Sequence, residues 1–369
     1  MTRILFVPDV ARAPTSERTP EILRLLREDN EVMGLPSPWD QFLYDTSRAK
    51  WPRYALYPLD KALLAIRGLL MARRHGSETI LCETPHHALV GLFIARVLGA
   101  RCVWDSHGSV RIFSKSMGKG PIFTTLAVAL ERFVGKRVDA LIAVSDSDRS
   151  DYVDLGIPPE RVFVVPHCVD LRRIDAHAGT SRRVPGPPGA TSGVPVLLFF
   201  GSFRYDPNLE ALRYIEETLV PFLQARGTQG EIRIAGRNIP DRPYHGMIRV
   251  LGFVPNIYET IASSDLCIIP VWRGVGILTK ALDAMAVGTP TVLSRFAASL
   301  IPGVESGVHA FIAESPRDFP TVVLKALADP TERRRVAREA RRLVETRYDW
   351  DLHGNRLAAI VRGDGPAGG

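Results

Sequence analysis

No apolar run in the sequence reaches the roughly 18–20 residues that a membrane-crossing helix needs, which argues against a helical membrane protein. The N-terminus also lacks the charged, apolar and small-residue succession of a secretory signal. Met1 to Pro8 leads straight into a strand-like stretch, so a cytoplasmic protein is expected. Cysteine is scarce. Cys82, Cys102, Cys168 and Cys267 are scattered, three of them inside apolar runs. No pair has the short spacing of a zinc knuckle or redox motif, and buried, reduced thiols acting as small hydrophobes are expected. Zinc-finger and RNA-recognition signatures are absent as well, despite a formal net charge of +7. A basic surface suits nucleic acid, anionic membranes or anionic substrates. However, much of the charge lies in Glu332–Arg342, where the signs alternate at helical spacing. That is the pattern of a solvated helix face, and no nucleic-acid partner is expected.

The 369 residues suit two domains better than one α/β core. Short apolar runs alternate with longer amphipathic stretches through the first 170 residues. Strands are predicted at Ile4–Pro8, Val32–Leu35, Thr79–Glu83, Cys102–Asp105, Ala140–Ser145 and Val162–Pro166, and helices at Glu21–Arg27, Asp60–Arg74, His86–Leu98 and Phe123–Val134. This alternation predicts a parallel sheet with helices on both faces. Residues 176–194, rich in Gly, Pro and Ser, read as a linker, so the first domain is placed at 1–175. The alternation then restarts over 195–347. Strands are predicted at Val196–Gly201, Ile232–Ala235, Val250–Phe253, Leu266–Pro270, Thr291–Leu293 and Ala310–Ile312, with helices at Leu209–Glu217, Ile257–Ala262, Leu278–Ala286 and Thr331–Thr346. Residues 348–362 read as a helix returning to the first domain, and 363–369 as a disordered tail. The expected fold class is α/β: two Rossmann-like, doubly wound parallel-sheet domains facing each other across a cleft. Ligands of such sheets bind at the carboxyl ends of the strands.

The most informative stretch is Pro270-Val-Trp-Arg-Gly-Val-Gly-Ile-Leu-Thr-Lys-Ala-Leu-Asp-Ala-Met-Ala-Val-Gly-Thr-Pro. A strand ends, Gly274 and Gly276 follow, and a helix begins. Glycines let backbone approach a ligand, and a helix N-terminus offers unpaired N–H groups and partial positive charge. With Lys280 in the first turn, this is a diphosphate cradle. Asp283, one turn further along an apolar helix, suits hydrogen bonds from ribose or sugar hydroxyls, although a helix-solvating Asp reads the same way. Asp146-Ser-Asp148 imitates a metal-binding Asp-x-Asp, but it opens a helix after Ser145, where Ser and Asp are ordinary capping residues. No metal is expected.

Several ordered motifs resemble GT-B glycosyltransferases, in particular the retaining group called family 4, in a Gly-x-Gly…Lys variant. Gly274 to Pro290 resembles that family's donor loop and following helix. Phe199-Phe-Gly-Ser-Phe with Pro207-Asn-Leu-Glu-Ala-Leu, then Gly236 and Gly252-Phe-Val-Pro-Asn, resemble its second domain. Glu131-Arg-Phe, Val138 to Arg149, and Val164-Val-Pro-His-Cys-Val-Asp170 resemble the end of its first domain. Trp104-Asp-Ser-His107 resembles its active-site histidine strand and Tyr348-Asp-Trp350 its C-terminal crossing.

The resemblance implies transfer of a sugar from a nucleoside-diphosphate sugar, UDP- or GDP-linked, to an acceptor, with retention and no cofactor. It implies that His107, Lys280 and Arg204 serve catalysis. Donor binding falls to Gly201, Ser202, Gly236, Arg237, Phe253, Val254, Arg273, Gly274, Val275, Gly276, Ile277, Leu278 and Asp283. Within that set, the N–H groups of Gly276, Ile277 and Leu278 meet the diphosphate, the backbone at Phe253 and Val254 holds the base, and Arg204 or Arg273 assists. The chain also departs from the pattern. Val275 occupies the place of a usual carboxylate, and Ser202 and Asn208 stand where Arg and Lys are common. Pro8 to Pro14 replaces a glycine-rich loop, and His167-Cys168 replaces Asn-Gly. The acceptor reads either as a small natural product or as a lipid-linked or cell-envelope glycan. Weak peripheral membrane association is suggested by the basic amphipathic stretch Lys61–Arg74 behind Trp51-Pro-Arg-Tyr, although such a helix also suits packing on a sheet. The Arg-, Ala-, Gly- and Pro-rich composition points to a GC-rich bacterial source. Two readings of other classes compete: a nucleotide-sugar epimerase of the same architecture, and a non-catalytic sugar-nucleotide-binding protein.

Overall fold

The computed structural model describes residues 1–8, 18–36, 50–116, 118, 120–178, 194–244, 246–274 and 278–364, the side chains of residues 50–55 and 116 excepted. The chain divides into two compact units, Met1–His167 with Asp351–Gly369, and Cys168–Trp350. Each holds a six-stranded sheet whose paired strands all run parallel. All twelve strands fall at the predicted runs, and inner ones such as Thr79–Cys82, Ala140–Ala143 and Leu266–Ile269 are buried along their whole length, as a parallel strand covered on both faces must be.

In the first unit, β1 (Arg3–Val7), α1 (Arg18–Asp29), β2 (Glu31–Gly34), α2 (Lys50–His75) and β3 (Thr79–Cys82) are followed by α3 (Pro85–Leu98), β4 (Arg101–Asp105), α4 (Val110–Ser116), α5 (Pro121–Gly135), β5 (Ala140–Ala143), α6 (Asp146–Asp154) and β6 (Val162–Val164). The sheet order is β2-β1-β3-β4-β5-β6. The direction of travel reverses between β1 and β3, so the carboxyl ends of these strands form the switch point where such folds bind ligands. Right-handed crossovers put α2, α3 and α5 on one face, with α3 packed beside both neighbours. The C-terminal helix Trp350–Arg362 joins this unit near α1: a Cβ added at Gly354 would press on Leu25, and Thr79 Oγ1 donates to the Val361 carbonyl. Ser145 caps α6 by accepting from Asp148 N–H, the capping role expected for the Asp-x-Asp segment.

The second unit comprises α7 (Leu171–Ala178), β7 (Val196–Ser202), α8 (Asp206–Tyr214), α9 (Val220–Gln224), β8 (Glu231–Arg237), β9 (Ile248–Gly252), α10 (Ile257–Ala262), β10 (Leu266–Ile269), α11 (Thr279–Val287), β11 (Thr291–Ser294), α12 (Arg295–Ser299), β12 (Phe311–Ala313), α13 (Phe319–Ala328) and α14 (Pro330–Arg347). Its order is β12-β11-β10-β7-β8-β9, with the switch point between β7 and β10. The expected boundary at residue 175 moves to 167. The reason is α7, which packs against α10 and α11 and buries Leu171 and Ile174 in the second core. The rest of the expected linker, 179–193, lies outside the described residues, as do Asp9 to Pro14 of the first-strand loop and 365–369 of the tail. The basic helix α14 is not solvated all round. Arg333 is buried and donates to the Ala326 carbonyl, while Arg335–Glu332 and Arg341–Glu345 pair along the surface. All four cysteines are buried free thiols. No described helix is long and apolar enough to cross a membrane.

Candidate active site

At the switch point of the second sheet, β7 and β8 run so close at their ends that side chains do not fit. Gly201 pairs with Gly236, and a Cβ added at Gly236 would lie 1.8 Å from the Gly201 carbonyl oxygen. At Gly201 an added Cβ would lie 2.9 Å from both Lys280 Nζ and Asn208 Nδ2. Gly236 thus lets the two strand ends meet, and Gly201 opens the space that Lys280 and Asn208 occupy. Lys280 Nζ donates to Asn208 Oδ1 at 2.5 Å and stands 4.8 Å from the centre of the Phe199 ring. Asn208 Nδ2 donates to the Ser202 carbonyl at 2.7 Å. Lys280 as a residue keeps some exposure, but its ammonium end is enclosed, and this desolvation lowers its pKa to about 7. An anion is the natural partner for an ammonium held this way.

Lys280 is the second residue of α11. The N-cap residue Leu278 provides no side-chain cap, and the first turn carries no acidic residue. Among the described residues, the leading N–H groups and the positive end of the helix dipole are thus left to a ligand or solvent. Val275, Gly276 and Ile277 lie outside the described residues. Gly274 sits against Tyr205, where an added Cβ would be 2.7 Å from the hydroxyl. Arg273 is bound to Glu210 through a two-point ion pair whose Nε–Oε2 distance is 2.8 Å. Arg204, in the turn after β7, is exposed and makes no ion pair among the described residues. Arg237 lies over the exposed Phe253 ring at 4.5 Å, beside half-buried Val254. Asp283 is half-buried, and its charge adds to burial in pushing the Cys267 thiol up.

In the first unit, His107 follows β4. Its Nε2 is buried, lies 3.7 Å from Glu83 Oε1 and makes no hydrogen bond among the described residues. Its ring centre is 6.0 Å from that of His167. Glu83 accepts from Thr19 Oγ1 at 2.6 Å. Arg18 grips Asp105 with Nε at 2.9 Å and Nη2 at 2.6 Å, both side chains fully buried, and its Nη1 donates to the Pro166 carbonyl. Among the described residues, Glu83, Asp105 and His107 are the one His/Asp/Glu group close enough to share a metal ion. The Arg18 guanidinium already serves as the cation for both Asp105 oxygens, which makes this a poor donor set for a metal.

The family described as "Glycosyl transferase 4-like domain" matches residues 7–168, and "Glycosyl transferases group 1" matches residues 194–329. The two matches fall on the two units in order. The chain is a GT-B glycosyltransferase. Sucrose-phosphate synthase of Thermosynechococcus elongatus shares the fold with a TM-score of 0.72 at 16% identity, covering 98% of this chain and 99% of that one. HepE of Anabaena, solved in complex with UDP, scores 0.69 at 15% identity, covering 98% and 100%. Trehalose 6-phosphate synthase of Burkholderia multivorans scores 0.70 at 15% identity, covering 99% of both chains. No curated protein sequence matches the chain.

The glycosyltransferase's first unit also holds a buried network that the sequence did not disclose. The turn carrying His107 is pinned from below. Ser109 N–H donates to Asp148 Oδ1 at 2.9 Å, Ser109 Oγ donates to Asp151, and Val110 N–H donates to Glu131 Oε1 at 3.0 Å. Ser106 and Tyr152 share a hydroxyl contact, and Tyr152 reaches Glu131 at 3.4 Å. Burial raises the Glu131 carboxyl to about 8, with Asp151 adding to the shift. Glu131 is thus protonated at neutral pH when folded, but ionised when unfolded. The folded state binds the extra proton, so stability falls as pH rises from about 4.5 to about 8. Glu131→Gln is expected to flatten that dependence in urea melts. Its advantage over wild type should grow between pH 5 and 8 and level off above; an advantage unchanged across that window would contradict a neutral Glu131.

Proposed function

We propose that the glycosyltransferase uses a nucleoside-diphosphate sugar, carries the diphosphate on the second unit, and transfers the sugar with retention and without a metal. The reading rests above all on one observation: an enclosed ammonium, that of Lys280, beside an uncapped helix N-terminus at the switch point of a parallel sheet. As the bond to the anomeric carbon breaks, that carbon becomes oxocarbenium-like and negative charge grows on the leaving diphosphate. Catalysis then consists mainly of stabilising that charge with groups already in place. Lys280 supplies the cation and the first N–H groups of α11 supply dipoles, with Arg204 as the second cation.

The departure at Asn208 fits this scheme. Where the family commonly has lysine, Asn208 instead holds the ammonium of Lys280 by its amide oxygen, so positive charge is delivered to the same place from a different element. Arg237 and Phe253, stacked at the ends of β8 and β9, suit one face of a nucleobase. Asp283 and the glycine turn suit ribose and sugar hydroxyls. His107 is assigned to the acceptor or the transferred sugar, because its buried Nε2 makes no hydrogen bond among the described residues. Similar structures carry UDP and UDP-glucose in HepE of Anabaena, which makes a UDP-sugar the first donor to try. The acceptor is a small molecule or a lipid-linked glycan.

A thermal-shift screen of UDP-, GDP- and dTDP-sugars, followed by a donor-hydrolysis assay, tests the reading. Stabilisation by one nucleotide class and slow release of the matching nucleoside diphosphate are expected. Conversion of the donor to an isomeric nucleotide sugar would indicate an epimerase. Binding without turnover under every acceptor would indicate a binding protein.

A further inference from the structure

The face formed by α2, α3 and α5 is apolar where a monomer's surface is usually polar. On α2, Leu59, Leu63, Ile66 and Leu70 are exposed at successive turns, while Leu64, Gly68 and Ala72 form the opposite, buried stripe. On α3, Leu89, Phe93 and Val97 are exposed in the same way. On α5, Ile122 is 78% and Leu126 68% exposed, with Phe123 and Phe133 beside them. Eleven of the fifteen exposed large apolar side chains among the described residues lie on these three adjacent helices. Patches of this extent mark an interaction surface.

Charge narrows the choice of partner. The three helices contain two acidic residues, Asp60 and Glu131, and both are buried. Exposed basic residues border the apolar stripes: Arg67, Arg73 and Arg74 on α2, Arg96 on α3, and Arg132 on α5. Arg137 lies over the exposed Phe133 ring at 3.9 Å. Lys61 is not among them, since it turns inward to Asp60 and His87. A second copy of the chain would bring arginines against arginines. An apolar surface on helices whose exposed charges, among the described residues, are all positive instead complements a bilayer of anionic lipids, whose headgroups pair with the arginines while its acyl region takes the leucines and phenylalanines.

We infer that this three-helix face docks the first unit onto an anionic membrane surface. Docking of this kind is peripheral and reversible. It needs no crossing helix, and it concerns the surface alone, holding whether or not the donor assignment does.

Co-sedimentation of the full chain with vesicles tests the inference. Phosphatidylglycerol–phosphatidylcholine vesicles are expected to pellet the protein at least about tenfold more strongly than phosphatidylcholine alone, with the difference shrinking in high salt. Ile66→Ser with Leu126→Ser should lose most of the pelleting, as should Arg73→Gln with Arg74→Gln; neither pair touches the sheet core, and unchanged melting temperatures establish that both fold. Equal pelleting on both vesicle types, no pelleting on either, or full retention by both double variants would overturn the inference. So would a concentration-dependent dimer that Ile66→Ser with Leu126→Ser abolishes in the absence of vesicle binding, because the face would then belong to a second copy.

Discussion

Replacing Lys280 with methionine is expected to slow glycosyl transfer by about 100- to 1000-fold, the usual effect of removing one preorganised group that faces developing negative charge. The loss should appear in kcat as well as in donor affinity, because the diphosphate carries more charge in the transition state than in the ground state. Stability should not suffer in parallel. The folded pKa of Lys280, about 7, lies below the ordinary lysine value, so the folded state disfavours the charged form. Burial of the ammonium therefore costs stability in full below pH 7, and the cost fades as pH rises toward the unfolded value. Methionine keeps the volume and removes that cost, which offsets the hydrogen bond that Asn208 loses. A methionine variant with near wild-type turnover would remove Lys280 from the chemistry; a variant that fails to fold would contradict the enclosed, desolvated ammonium.

His107→Ala and Asp105→Ala sit two residues apart and are expected to behave oppositely. His107 Nε2 makes no hydrogen bond among the described residues, and Glu83, 3.7 Å away, keeps its bond from Thr19, so removing the ring breaks no hydrogen bond of that nitrogen. Turnover should fall by about 100-fold, the scale of a lost proton-transfer or charge-stabilising group, with the melting temperature nearly unchanged. Asp105, by contrast, holds the fully buried Arg18 at two points. Truncating it takes the two-point partner from a buried charge, which costs about 3–5 kcal/mol and lowers the melting temperature by on the order of 10 °C. Calorimetry together with a turnover assay separates the two. A large stability loss in His107→Ala would make that histidine a structural residue, and a mild effect in Asp105→Ala would show that Arg18 finds another partner.

Much of the architecture was legible in the sequence because it is local. Runs such as Ile4–Val7 and Leu266–Ile269 declare buried parallel strands by being apolar throughout. Short or unusual helices were less visible. Val110–Ser116 and Leu171–Ala178 carry too few turns for a clear period, and the helix after β7 was expected to stop at Glu217, before Pro221. It continues instead to Gln224 through a π-helical segment, Ile215–Leu219, with Pro221 in the first turn of the final stretch, where proline's missing N–H is tolerated.

The candidate site divides in the same way. The glycines and Lys280 were readable because the strand, turn and helix that carry them are contiguous. The partners of Lys280 and Asp105 were not: Asn208 is 72 residues from Lys280 and Arg18 is 87 from Asp105, separations that one sequence does not link. Glu131 stood within a recognised motif, but only the fold shows that it holds the backbone after His107 and is neutral there.

The pH dependence of donor binding tests the central claim most directly. In the free protein Lys280 loses its proton above about pH 7, whereas a bound diphosphate holds the proton on and raises that pKa. The diphosphate of a nucleotide sugar does not titrate in this range. Affinity for the nucleotide sugar selected by the screen, measured by titration calorimetry from pH 6 to 9, should be flat up to about 7 and then fall by about tenfold per pH unit. Lys280→Met should bind more weakly at every pH and show no such slope. A wild-type affinity independent of pH, or the same slope in both proteins, would contradict the placement of the diphosphate at Lys280.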